Sequence, residues 1–96
     1  MMVVITYDVN TETEAGKKRL RRVAKECQNY GQRVQNSVFE CLIDPTRFKV
    51  LRARLESLMD KQTDSLRYYF LGDDWHSRIE HVGAKPGLEL DGVLMV

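Results

Sequence analysis

The strongest constraint on the fold is the run V-V-I-T-Y-D at residues 3–8. Its β-branched and aromatic residues favour a strand, and apolar side chains occupy both alternating faces, as in a central strand that is covered on both sides. The pattern predicts strand one over residues 2–8. Asp8 closes the run, and a side chain at the end of a buried strand is partly exposed at a sheet edge or crevice.

Two amphipathic helices are predicted from apolar residues at helical spacing. The first covers residues 14–29, with a T-x-x-E capping box formed by Thr11 and Glu14. The second begins at Asp44-Pro45, an N-cap followed by proline at the first helical position, and is expected to end near Asp60. The apolar positions are Leu20, Val23, Ala24 and Cys27 in the first helix and Phe48, Leu51, Leu55, Leu58 and Met59 in the second.

The remaining segments have strand character. Residues 33–43 contain two strands joined at Asn36-Ser37, where the chain turns or bulges, and S-L-R-Y-Y-F-L-G at 65–72 is strand four. A short fifth strand is predicted over residues 78–82. The order βαββαβ with an extra strand indicates an α+β, ferredoxin-like fold, with two helices on one face of an antiparallel sheet. The apolar segment 83–96 is expected to pack on a partner subunit.

The length of 96 residues, with 43% hydrophobic and 30% charged residues, predicts a single soluble domain over 1–96. A core this small gains stability from self-association, so a homodimer is plausible. Cys27 and Cys41 lack CxxC spacing and are expected to be packed, reduced thiols. The longest apolar stretch at the start, Met1 to Ile5, is too short for a membrane span, and a cytoplasmic location is expected.

Positive charge is concentrated in the first part of the chain. Residues 1–55 hold eleven Lys/Arg against six Asp/Glu, and residues 56–96 hold four against eight. The first helix carries Lys17, Lys18, Arg19, Arg21, Arg22 and Lys25. Like charges at this density repel one another unless an anion binds there, so we predict contacts to nucleic-acid phosphates, with a solvated helix face as the alternative.

Strand two adds further candidates. Arg33, Gln35 and Ser37 alternate and are expected to share one face, from which each can donate to a phosphate oxygen, although Gln35 can equally pair within the sheet. Tyr7 and Phe39 are candidates for stacking on a base, with burial in the core as the more frequent fate of aromatic strand residues.

Asp8 is the best acidic candidate, and the alternative is a carboxylate that caps the loop after strand one. One carboxylate is a poor site for Mg²⁺, but a two-fold dimer would bring a second copy of Asp8. Asp73, Asp74 and His76 form a rival group that is better explained as a solvated turn. His81 has no nucleophile or carboxylate at useful spacing, so no Ser/His/Asp arrangement is predicted.

The chain as a whole resembles the Cas2 family of CRISPR-associated proteins. The resemblance rests on strand one ending in Y-D, the basic helix, R-V-Q-N-S-V-F-E-C, D-P-x-x-F with its helix, and R-I-E-H-V-G-A-K-P. It covers nearly the full length. The block N-Y-G-Q-R-V-Q-N-S-V-F-E-C is most similar to the branch found in type I-C systems.

The resemblance implies a homodimer that works with the CRISPR integrase in spacer acquisition and bridges two integrase dimers across DNA. Some members are described as metal-dependent endonucleases on RNA or double-stranded DNA. In that reading Asp8 and its counterpart in the second subunit bind Mg²⁺, with Mn²⁺ as a substitute. Tyr7, Arg33, Ser37 and Phe39 match the family positions around that catalytic site.

Two functions remain open from the sequence. A metal-dependent nuclease requires Asp8, whereas a non-catalytic DNA-binding scaffold requires only the basic helix and the C-terminal segment. A ferredoxin-like small-molecule sensor would need a polar pocket or a glycine-rich ligand loop, and neither is evident.

Overall fold

The computed structural model describes residues 1–84 and has the predicted α+β architecture. Four strands form one antiparallel sheet in the order β2-β3-β1-β4. The elements are β1 (Met2–Asp8), α1 (Glu14–Gln28), β2 (Gln32–Gln35), β3 (Val38–Leu42), α2 (Pro45–Leu58) and β4 (Ser65–Gly72), followed by a short 3₁₀ helix (Trp75–Arg78). The ferredoxin-like order βαββαβ is thereby confirmed, as is the turn at Asn36-Ser37.

Both helices pack on the same face of the sheet. Alternate residues of β1, among them Val3 and Ile5, point into a core shared with β3 and with both helices. The helices contribute Val23, Ala24 and Cys27 from α1 and Phe48, Leu51 and Leu55 from α2. These residues are spaced mainly three and four apart, so each helix buries one row of side chains along a single side.

Neither α1 nor α2 lies on the opposite face of the sheet. β1 lies between β3 and β4, as predicted for a central strand, but Val4 and Thr6 on this face are only half-buried. Beside them, Leu42 is 46% exposed and Tyr69 is 43% exposed. We call this surface the outer face of the sheet.

The cap of α1 differs from the prediction. Thr13, not Thr11, is the N-cap, and its Oγ1 accepts a hydrogen bond from the Gly16 amide at 3.0 Å. Since the helix begins at Glu14, only Thr13 stands directly before the first turn, where a side-chain oxygen reaches the unpaired amides. The Asp44 cap of α2 is confirmed, with Oδ1 accepting from the Arg47 amide at 2.8 Å.

The predicted fifth strand at residues 78–82 is wrong. The chain turns at Gly72, which has a φ of 73°, and then forms the 3₁₀ helix, with Trp75 buried. Ser77 Oγ contacts both the backbone oxygen and the Oδ2 of Asp74 at 3.1 Å, and such local bonds compete with strand pairing. The predicted packing of segment 83–96 falls almost entirely outside the described residues.

The two cysteines are buried and free, as predicted. Burial raises the pKa of each thiol to about 12, so both stay protonated and unreactive at neutral pH. Within residues 1–84, neither helix has the length and apolar character needed to cross a bilayer.

Candidate active site and nucleic-acid interface

Asp8 ends β1 with an exposed side chain, opposite Ser65 of β4. Within residues 1–84 its carboxylate has neither a hydrogen bond nor an ion pair. The loop that follows is held instead by Asn10, whose Oδ1 accepts from the Glu12 amide at 2.9 Å. The capping alternative for Asp8 is therefore wrong, and its carboxylate remains available to a ligand.

Tyr7, Arg33, Ser37 and Phe39 come together around the end of β1, whereas alternation along the strand directs Asp8 to the opposite side of the sheet from Tyr7. The Tyr7 amide donates to the Ser37 carbonyl at 3.1 Å, which places the β2–β3 turn next to the end of β1. The rings of Tyr7 and Phe39 stack with centroids 6.1 Å apart, and the Arg33 guanidinium lies 5.2 Å from the centre of the Phe39 ring. This cation–π contact holds Arg33 against Phe39, the cross-strand partner of Ile5.

Base stacking by Tyr7 and Phe39 is not possible in this arrangement. Tyr7 is 5% exposed and Phe39 is fully buried, so both rings belong to the core. Burial raises the pKa of the Tyr7 hydroxyl, and Arg33 only partly offsets this. Tyr7 therefore stays protonated and donates to the Asn36 carbonyl at 3.1 Å. These two residues support the site by packing, because neither ring reaches the surface.

The predicted common face of Arg33 and Gln35 is also wrong. Arg33 pairs with Phe39 and Gln35 pairs with Val38, with a register shift between them. Because neighbouring residues of β3 point to opposite sides, Arg33 lies on the helix side and Gln35 on the outer face. The bulge in β2 thus separates two side chains that strict alternation would have placed together.

Arg19 has a partner that sequence analysis missed. Its Nε lies 2.8 Å from Oδ2 of Asp64, whose side chain is fully buried. Asp64 also accepts hydrogen bonds from the backbone amides of Asn10 and Asp60 at 3.0 and 2.9 Å. The only sequence signal was an aspartate directly before strand four. Arg19 is thus structurally engaged, and its contact with nucleic acid stays a prediction.

The other cations of α1 are displayed to solvent. Lys17 pairs with Glu14 at 3.3 Å, whereas the remaining four form no ion pair within the described residues. Those four are Lys18, Arg21, Arg22 and Lys25. All four are exposed, on the side of α1 that faces away from the sheet.

The fold also adds α2 to this positive surface. Together, α1 and α2 contain ten Lys/Arg against three Asp/Glu. Because the whole chain has a net charge of only +1, the residues outside the two helices carry more acids than cations. The sequence shows a charge difference between the two halves of the chain, and within it α2 carries a usable signal of four cations against one acid.

The described residues contain no cluster of three His, Cys, Asp or Glu that could enclose a metal ion. The rival loop does not provide one, since Asp73 pairs with the N-terminal amine at 3.3 Å and His76 stacks on Trp75. Mg²⁺ commonly binds through one or two carboxylates and keeps several waters. The exposed, unpaired Asp8 fits one such ligand, and a complete site needs another from outside this part of the chain.

Comparison with known proteins assigns the fold to a family. The family profile described as "CRISPR associated protein Cas2" matches residues 1–79. A protein of Chlorobaculum tepidum named CRISPR-associated endoribonuclease Cas2 is 59% identical over the whole of both chains. A protein of Halalkalibacterium halodurans named CRISPR-associated endonuclease Cas2 is 56% identical over 99% of each chain.

A solved structure agrees with these matches. Streptococcus pyogenes Cas2, determined at pH 6.5, superposes with a TM-score of 0.76 and 59% identity, covering 86% of this chain and all of that one. The profile and the relatives each span far more than half of the sequence. By its sequence and its fold, the chain belongs to the Cas2 family of CRISPR-associated proteins.

Proposed function

We propose that the protein is a metal-dependent endonuclease of CRISPR adaptation, acting as a cytoplasmic homodimer on double-stranded DNA, single-stranded RNA or both. We place it in the type I-C-like branch. The observation that carries the proposal is Asp8, an exposed carboxylate without a partner at the end of a rigid central strand. Relatives named endoribonuclease and endonuclease support phosphodiester hydrolysis as the reaction.

The second carboxylate is supplied by dimerisation in this proposal. The outer face exposes Leu42 and Tyr69, apolar surface that a partner would bury. β4 is an edge strand whose outer side is unpaired within the described residues. Asp8 of the two subunits would then hold Mg²⁺ or Mn²⁺, which in phosphodiester hydrolysis neutralises developing charge and activates water.

The protein's own residues bind and orient the substrate. The exposed cations of α1 attract the phosphate backbone, and Arg33, held against the Phe39 ring on the helix side of the sheet, contributes a further phosphate contact. The packing of Tyr7 on Phe39 and the bond from the Tyr7 amide to Ser37 hold the end of β1 in place. Asp8 is thereby presented on a rigid support.

A scaffold that bridges CRISPR integrase dimers on DNA is the second candidate. It is favoured by the charge distribution, since the two helices, with ten Lys/Arg against three Asp/Glu, pack on the face of the sheet opposite the outer face, and their charge does not depend on Asp8. Among the described residues, no histidine is in contact with the strand end to act as a general base. A scaffold needs neither the metal nor the base.

One substitution separates the two functions. Linear double-stranded DNA and single-stranded RNA are incubated with Mg²⁺ or Mn²⁺ and with wild type, Asp8→Asn or Asp73→Asn. Asp73 is a matched control, because its side chain is 96% exposed and lies in a different turn. The nuclease proposal expects Asp8→Asn alone to abolish cleavage while dimerisation and nucleic-acid binding are retained. Equal cleavage by all three proteins, or none under any metal and pH, favours the scaffold.

A further inference from the structure

A groove between α1 and α2 lies outside the candidate active site. It has a volume of about 390 Å³, and most of the residues that line it are exposed to solvent. Its polar lining consists of Arg22, Lys25, Glu26 and Asn29 from α1 and Arg54 and Ser57 from α2. The two helices therefore build this groove together, from residues that are distant in sequence.

The groove is positively charged. Arg22, Lys25 and Arg54 line it, and Glu26 is its single carboxylate. Arg22 and Lys25 have no ion pair within residues 1–84. The Asn29 side-chain amide, which carries two N–H donors, is also unbonded there. An anion entering the groove would meet donors that nothing in the described chain occupies.

Glu26 positions Arg54 without using up its donors. Arg54 Nη1 lies 3.5 Å from Glu26 Oε2, which is too long for a strong hydrogen bond, and that oxygen is buried with no hydrogen-bond partner. A guanidinium has five N–H donors in a fixed fork, so most of them remain available. The Arg54 side chain is 54% exposed, and its free donors can therefore reach a ligand in the groove.

We propose that this groove binds phosphate groups of a nucleic-acid backbone. An arginine fork suits phosphate because it can form two parallel bonds to the same group. The exposed row Lys18, Arg22 and Lys25 leads along α1 into the groove over about 10 Å, at 1.5 Å per residue. Successive phosphates of one strand rise about 3.4 Å along a duplex, so the row can follow more than one of them.

The lining favours a nucleic acid over a protein partner. Leu58 is the single apolar residue of the groove, whereas protein docking sites depend on buried apolar or aromatic anchors. The proposal rests on the nucleic-acid function argued above and extends its binding surface to α2. The groove lies about 16 Å along α1 from the helix start at Glu14, so it anchors substrate at a distance from Asp8.

The test measures binding of a 20-base-pair duplex over a range of salt concentrations. The variants are Arg54→Gln and Lys25→Gln, with Lys61→Gln as a control, because Lys61 is an exposed lysine outside both helices. Loss of one phosphate contact lowers the slope of log K against log salt by about one, which corresponds to about eightfold weaker binding near 0.1 M salt. We expect this change for both groove variants and not for Lys61→Gln.

Two further readouts locate the effect. Titration of the ¹⁵N-labelled protein with inorganic phosphate should shift the NMR signals of Arg22, Arg54 and Asn29 at lower phosphate concentrations than other signals.

If the protein cleaves nucleic acid, Arg54→Gln should raise KM while kcat is retained, because the groove does not touch the reacting bond. Circular dichroism verifies folding of Arg54→Gln, which leaves Glu26 unpaired, and Lys25→Gln provides an independent variant because Lys25 has no partner to lose.

The outcomes separate this proposal from the proposed function. If wild type binds the duplex and Arg54→Gln and Lys25→Gln bind it equally well, the proposed phosphate site in the groove is wrong, but the nucleic-acid function is unaffected. No binding of DNA or RNA by wild type overturns both, even if inorganic phosphate shifts the groove signals. If wild type binds poly-glutamate and Arg54→Gln does not, while duplex binding is the same in both, the groove binds an acidic protein partner and not the nucleic-acid backbone.

Discussion

Arg19 and Asp64 form an ion pair that joins α1 to the loop before β4, with 2.8 Å between Nε and Oδ2. The Asp64 side chain is fully buried, and the Asn10 amide donates to its second oxygen. Asn10 lies two residues after Asp8, and Ser65, the next residue after Asp64, is the cross-strand partner of Asp8. The pair therefore holds both strands that meet at the candidate catalytic residue.

Replacing Asp64 should destabilise the protein more than replacing any exposed acid. Asp64→Ala leaves a guanidinium and two backbone amides without their acceptor, and breaking a buried pair of this kind typically costs about 3 kcal/mol of unfolding free energy. Chemical denaturation measures this cost. Asp73→Ala is the matched control, with an expected change below about 0.5 kcal/mol because its ion pair is exposed. Equal losses in the two variants would contradict the role of the buried pair.

The contribution of Asp64 should disappear in acid. Burial by itself would raise the pKa of this carboxyl, but the hydrogen bonds from Arg19 and from the backbone amides outweigh burial and hold the pKa far below its ordinary value. A lowered folded-state pKa stabilises the protein above the unfolded value of about 4, and this stabilisation is lost as the pH falls toward the folded value. The stability difference between wild type and Asp64→Ala should thus shrink between pH 6 and pH 2. A constant difference over that range would argue against an ionised Asp64.

The two threonines before α1 provide a test of the helix cap. Thr13→Ala removes the acceptor for the Gly16 amide and should lower the unfolding free energy by about 1 kcal/mol. Thr11→Ala removes an exposed side chain with no bond to the helix, so a change below about 0.5 kcal/mol is expected. Thermal unfolding of both variants checks the difference. A larger loss for Thr11→Ala would restore the capping box predicted from the sequence.

Glu40 on the outer face should make the protein less stable as the pH rises. Burial raises the pKa of this carboxyl, and the nearby His81 only partly opposes the shift. A raised folded-state pKa means that stabilisation by the neutral form is complete below the unfolded value of about 4.3 and is lost as the pH rises through the folded value.

Glu40→Gln removes this ionisation and is expected to raise Tm at pH 7 but not at pH 4. Melting curves at one fixed protein concentration measure the effect, because dimerisation would make Tm concentration-dependent. Glu12→Gln, at an exposed loop position, serves as the control and should leave Tm unchanged at both values. A Glu40→Gln variant that is less stable than wild type at pH 7 would mean that the ionised carboxylate has a partner, such as a cation of a second subunit.

Local sequence patterns determined most of the secondary structure. A run of β-branched and aromatic residues defined β1, aromatic residues and leucines defined β4, and Asp44-Pro45 defined the start of α2, because these features depend on the chemistry of neighbouring residues alone. Asp8 was identified in the same way, since the end of an apolar run also marks the end of a strand. The quoted motifs were sufficient to indicate the family.

Tertiary structure decided which side chains meet. Arg19 and Asp64 are 45 residues apart, so no local pattern could pair them, and the bulge that separates Arg33 from Gln35 exists only in the pairing of β2 with β3. Residues 79–82 pair with no strand, and the chain instead forms a 3₁₀ helix over Trp75–Arg78 in which Trp75 is buried, and this burial depends on the folded chain around it. The positive surface of α1 and α2 likewise arises only when two separate helices pack on one face of the sheet, which brings Arg54 to the groove beside Arg22 and Lys25.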